Sequence, residues 1–132
     1  MRAVFITISL ILATVTMCDA QTYVYASERE YCAYNPATDE FDKCESWEDH
    51  SLFVINDRET SFQHFTDDVN SLYQVDSKEY NEDMKMNLWY VTSDAGNKYT
   101  YVVNLENKAI AALYDNGDES FIVTFTVSKY WK

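Results

Sequence analysis

Residues 86–125 read MNLWYVTSDAGNKYTYVVNLENKAIAALYDNGDESFIVTF. Apolar and polar residues alternate through short runs, and turn residues separate the runs. Alternation of that kind marks half-buried strands. The turns can be tested against one another, because each turn fixes which residues face each other across the hairpin. Asn116-Gly117, taken as a two-residue loop, sets Ala112 opposite Phe121 and Ile110 opposite Val123. Ala95-Gly96, taken the same way, sets Tyr90 opposite Tyr101, Leu88 opposite Val103 and Met86 opposite Leu105. A turn at Glu106-Asn107 joins the two hairpins and lays Val103 beside Ile110 and Tyr101 beside Ala112. Together these turns predict one apolar face: Met86, Leu88, Tyr90, Tyr101, Val103, Leu105, Ile110, Ala112, Phe121, Val123 and Phe125. The opposite face is mixed. It holds Trp89, Val91, Val102, Ala111, Leu113 and Ile122, but also Lys98, Thr100, Asn104 and Thr124. Such a face is expected to be part covered, by the N-terminal segment or by a partner.

Upstream, Leu52 to Asn56 and Thr60 to Thr66 form a hairpin around Asp57-Arg58, with Phe53 against Phe62. Asp67-Asp68 turns the chain into a strand over residues 69–75, and Ser77 to Asp83 reads as an acidic connection. Tyr23 to Ala33 reads as another strand, with a helical turn at Ser27 to Glu30 as the competing reading. Asn35 to His50, with Asn35-Pro36 and its acidic clusters, reads as a long loop. No long stretch has the period of a helix. The expected fold is all-β: an antiparallel meander of about seven or eight strands, closing as a small barrel or a sandwich. A membrane-spanning barrel is disfavoured, because the chain is short for eight strands of ~9–11 residues with loops, and the mixed face carries scattered charge.

The first 20 residues read as an address. Arg2 precedes an apolar stretch from Ala3 to Met17, and Cys18-Asp19-Ala20 gives a small-x-small cleavage pattern before Gln21. The stretch is too short for a membrane-spanning helix, which takes roughly 20 residues. Residues 1–20 are therefore expected to be a signal peptide, and residues 21–132 a single β-rich domain. Removing 20 of the 132 residues leaves 112, and the charge stays at −12 because Arg2 and Asp19 cancel. The cut also leaves an even cysteine pair, Cys32 and Cys44, which an oxidising compartment would join as a disulfide pinning the Asn35–His50 loop. Export to the periplasm or the medium is the expected localisation. Lipidation at Cys18 is the lesser alternative, since Met17 precedes it where a small residue is usual.

The hairpin Tyr90-Val91-Thr92-Ser93-Asp94-Ala95-Gly96-Asn97-Lys98-Tyr99 resembles small uncharacterised exported β-proteins of Gram-negative bacteria. The motif is a turn, so the resemblance implies an exported β-fold and no activity. A lipocalin-type Gly-x-Trp near the start is absent from the sequence.

Composition narrows the function. With 22 acidic against 10 basic residues, the chain would be repelled by nucleic acid and by anionic lipid. Its 16% aromatic content argues for a packed core. The asparagine, glycine and carboxylates of residues 115–119 and the acids of residues 76–83 gather oxygen ligands without a calcium-loop spacing, so no metal or cofactor is expected. The Asp67-Asp68 turn would place His64 opposite Ser71, the minimum of a hydrolase pair. No nucleophile elbow or Gly-rich oxyanion segment accompanies it, and no catalytic residue is assigned. Trp89 on the mixed face and Trp47 in the loop are the candidate binding residues, because exposed tryptophan is enriched at recognition hot spots. The expected function is a small exported acidic, non-enzymatic β-domain that binds a ligand or a protein partner. Two alternatives are a carboxylate-dependent hydrolase of an extracytoplasmic polymer, and an inhibitor or immunity-type protein for a basic partner.

Overall fold

The computed structural model describes residues 21–132. Its elements are β1 (Thr22–Asn35), β2 (Glu40–Ile55), β3 (Ser61–Phe65), β4 (Asn70–Asn81), β5 (Met86–Ser93), β6 (Lys98–Asn104), β7 (Ala109–Asp115) and β8 (Ser120–Trp131). Each strand pairs antiparallel with the next, and β8 returns to β1, so the meander closes as a barrel and not as a sandwich. Among the described residues none is helical, and no helix is long and apolar enough to cross a membrane. The signal-peptide and Cys18 expectations lie outside the described residues.

The barrel is apolar on the inside. Val24, Phe53, Ile55, Phe62, Trp89, Val91, Tyr101, Ile110, Phe125 and Val127 form the enclosed core. A ring this small has room for side chains and little else, so the core is filled and not hollow. Its rings meet edge to face or stacked: Phe53 and Phe125 edge to face at 5.1 Å, Phe62 and Tyr101 likewise at 5.0 Å, and Phe62 stacked on Tyr73 at 4.9 Å. Such offset arrangements are the favoured ones for aromatic quadrupoles.

The expected registers meet different fates, and the residue on which each turn is centred explains each one. The β6–β7 register is as expected, with Tyr101 beside Ala112 and Val103 beside Ile110. So is the β3–β4 register, with His64 opposite Ser71. At β7–β8, Ala112 faces Val123 and Ile110 faces Phe125, a shift of two residues. The turn is centred on Gly117-Asp118, one residue beyond the assigned pair, with the Asn116 amide donating to the Glu119 carbonyl at 3.1 Å. A shift of two preserves the faces. The β2–β3 hairpin shifts in the same way, setting Phe53 opposite His64 and Ile55 opposite Phe62.

The β5–β6 hairpin overturns its expected register. Trp89 faces Tyr101 and Val91 faces Tyr99. The Ser93 amide bonds the Asn97 carbonyl at 2.8 Å around the three residues Asp94, Ala95 and Gly96. Gly96 sits at φ +87°, where a residue without Cβ is favoured. An odd loop slips the register by one, and one residue exchanges the faces of a strand. Trp89 and Val91 therefore enter the core, and Tyr90 stays outside, donating to Glu79.

Two other expectations are corrected. Ser77 to Asp83 is no connection: β4 runs on to Asn81, with a register break between Val75 and Ser77. Asn35 to His50 is no long loop either. The chain turns tightly between Asn35 and Glu40, where Asp39 takes φ 58°, and returns as β2. Cys32 and Cys44 are directly opposed on the two strands and are joined. The disulfide thus pins a hairpin. Converting both cysteines to serine should cost about 2–3 kcal/mol, as closure of a short loop gives in the chain-entropy model. Urea unfolding of the Cys32→Ser/Cys44→Ser protein measures this, and an unchanged midpoint would refute it.

Candidate functional site

Alternation along β2 places Trp47, Asp49, Ser51, Phe53 and Ile55 on the inner side. Phe53 and Ile55 lie in the core, while Asp49 and Trp47 line the cavity above it. β1 reaches the same place by an irregularity. Its register breaks between Ala26 and Glu28, so the even residues Val24 and Ala26 face inward below the break. Above it the odd ones do: Arg29 lies over the Phe125 ring and Tyr31 packs on Phe121. A bulge re-aims side chains in this way. Here it turns a cation into the barrel.

Arg29 meets a polar chain there. Its Nε and Nη2 donate to Asp49 Oδ2 at 3.1 and 3.0 Å, and Nη2 reaches Ser51 Oγ at 3.3 Å. Ser51 is fully buried and donates its one hydroxyl proton to Asp49. Its oxygen is then an acceptor for His64, whose Nε2 lies 2.9 Å away and so carries the proton. The His64 ring stacks on Phe53 at 4.2 Å. Burial, together with the Arg29 charge, pushes the imidazole down to about 4, against an opposing pull from Asp49. Burial would raise the Asp49 carboxyl, but the Ser51 hydroxyl and the Arg29 guanidinium outweigh it and hold the group below the ordinary carboxylate range.

Above this floor lies an open cavity of about 490 Å³ at the end of the barrel that carries the β3–β4 turn. Tyr73, Tyr99, Tyr101, Phe121 and Phe125 wall it, and Trp47 with Thr66 to Val69 forms part of its lining. The volume lies in the range of small-molecule sites.

The residues expected from the sequence are scattered by this geometry. Trp47 lines the cavity and is 44% exposed. Trp89 is 4% exposed in the core, packed near Phe62, so it belongs to no open second face. His64 and Ser71 both line the cavity, but the His64 hydrogen bond goes to Ser51. The order Asp49–Ser51–His64 puts serine in the middle, whereas nucleophilic catalysis needs the imidazole between acid and hydroxyl. The acids and amide of residues 115–119 close their own turn: Asp115 accepts from Gly117, and Asn116 from Asp118 and Glu119. Glu30 lies near Cys32 and Cys44, but these two thiols are spent in the disulfide and offer no thiolate.

Arg29, Asp49 and Ser51 were not singled out by sequence. Asp49 and Ser51 had a signal, since the period-two pattern of Phe53 and Ile55 extends upstream through them to Trp47. Arg29 had none, because a register break leaves no mark in periodicity. Fold and cavity define a closed eight-stranded antiparallel barrel with a polar-floored, aromatic-walled mouth. Comparisons with known protein families, curated proteins and solved structures find no match.

Proposed function

We propose that this chain is a small exported, non-enzymatic β-domain that binds a small molecule in the mouth of its barrel. The observation that carries this is the cavity of about 490 Å³, walled by aromatic rings above a hydrogen-bonded polar floor. Apolar walls with a few fixed polar groups suit binding and orientation of a ligand. The carboxylate-dependent hydrolase alternative has less support at the same place, since of the lining carboxylates Asp49 is paired with Arg29 and Asp67 and Asp68 are exposed. Export is supported by the Cys32–Cys44 bridge, which persists in oxidising compartments.

Ser71 is half-buried on the cavity wall, which makes Ser71→Trp a plug for the mouth. Ligand-observed NMR with a fragment library should find mutually competing binders of the native protein. Ser71→Trp should lose them while changing stability by no more than about 0.5 kcal/mol, as is usual away from the core. Binders that survive the plug, or an absence of competing binders, would refute the proposal.

A further inference from the structure

We propose that the ligand of the barrel mouth is a small organic cation, an ammonium or guanidinium group on an apolar body; this rests on the mouth being a ligand site. Aromatic faces carry the negative part of the ring quadrupole and attract cations. The cavity already shows its walls used this way. The Arg29 guanidinium carbon lies 4.9 Å from the Phe125 ring centre and 6.0 Å from that of Trp47. That guanidinium is no bait for an anion, because Asp49 pairs with it at 3.0 Å. An anionic ligand would have to displace a carboxylate that also holds Ser51. His64, the other basic group in the lining, is uncharged at neutral pH. The remaining charged groups of the lining are Asp67 and Asp68, both exposed and neither in an ion pair among the described residues. The mouth therefore has a negative balance, and a whole-chain charge of −12 raises the local concentration of cations.

The test is an NMR titration of the purified protein with three probes of one shape class: benzyltrimethylammonium, benzyl alcohol and benzoate. The ammonium should bind at least about tenfold tighter than the alcohol, the scale of a desolvated cation–π contact. Benzoate should be weakest. Asp67→Asn/Asp68→Asn should weaken only the ammonium, by roughly threefold, and added salt should reduce that difference. Trp47→Ala should weaken the ammonium more than the alcohol. Equal binding of ammonium and alcohol, or tighter binding of benzoate, would overturn the cation and leave the ligand site standing. Silence from all three, while fragments blocked by Ser71→Trp still bind, would do the same. Silence from probes and fragments alike would overturn both readings.

Discussion

Phe53→Ala should destabilise the protein by about 3–5 kcal/mol, the usual loss for truncating a fully buried phenylalanine. Phe53 is 1% exposed. Its ring stacks on His64 at 4.2 Å, meets Phe125 edge to face at 5.1 Å and lies 6.3 Å from Phe62. No neighbour can collapse into the gap easily, because Phe62 and His64 are fixed on β3 and Phe125 on β8 of a closed ring. The cost therefore includes an unfilled void besides the lost transfer of the ring from water. A loss of that size is a large share of the 5–15 kcal/mol typical of whole domains. Phe53→Leu, which keeps most of the volume, should cost less than about 2 kcal/mol. Denaturant titration with a shared slope for the variants measures both. A loss below about 1 kcal/mol for Phe53→Ala would mean that the core is loosely packed there.

The antiparallel meander was legible because strand polarity survives even errors in a turn, whereas the choice of a barrel over a sandwich comes from the pairing of β8 with β1. Two hairpins, at residues 57–60 and 116–119, have turns centred one residue beyond the assigned pair, yet Phe53, Phe62, Ile110 and Phe125 still face inward. The loop at Ser93–Asn97 is odd, and there the sequence reading exchanged Leu88 and Tyr90 for Trp89 and Val91. An Ala-Gly pair signals a turn without stating whether two or three residues complete it. Leu88 could mislead because it too is buried, at 9% exposure, although it pairs on the outer side with Val102.

The candidate site was harder to read, because it depends on departures from regularity. β2 upstream of Ser51 looked like loop: it is acidic, follows Asn35-Pro36 and is exposed over residues 40–48. A strand paired on one edge only has little apolar patterning to show, since beyond Leu52 its register partners come from β1 alone. The break near Ser27 then brings Arg29 to Asp49. One element of the site was visible. The turn at Asp67-Asp68 set His64 opposite Ser71, the register that is found, and so placed the imidazole on the right strand and side. Its hydrogen-bond partner lay on the other neighbouring strand, which turn counting cannot reach.

Acid should destabilise the fold between pH 6.5 and about 4, and His64 should be the cause. Its imidazole titrates near its ordinary 6.5 in the unfolded chain and about 4 in the barrel. Below pH 6.5 the unfolded chain takes up a proton that the folded one refuses, so stability falls as pH falls and the loss is complete near the folded value. The whole window is worth about 3 kcal/mol at 1.36 kcal/mol per unit of difference. Asp49 acts lower on the scale. Its folded value is depressed, so its contribution is lost only as pH drops below the ordinary carboxylate range. The two losses are thus separable. The physical source is the burial of His64 at 8% exposure beside the Arg29 guanidinium, where a second positive charge is unwelcome. His64→Gln keeps an N–H that can donate to Ser51 and removes the titration. Unfolding free energies at half-unit steps from pH 7 to 4 should show a slope for the native chain and a nearly flat line for His64→Gln. A flat native profile, or a variant that retains the slope, would place the proton uptake on another group and free the imidazole from the floor of the site.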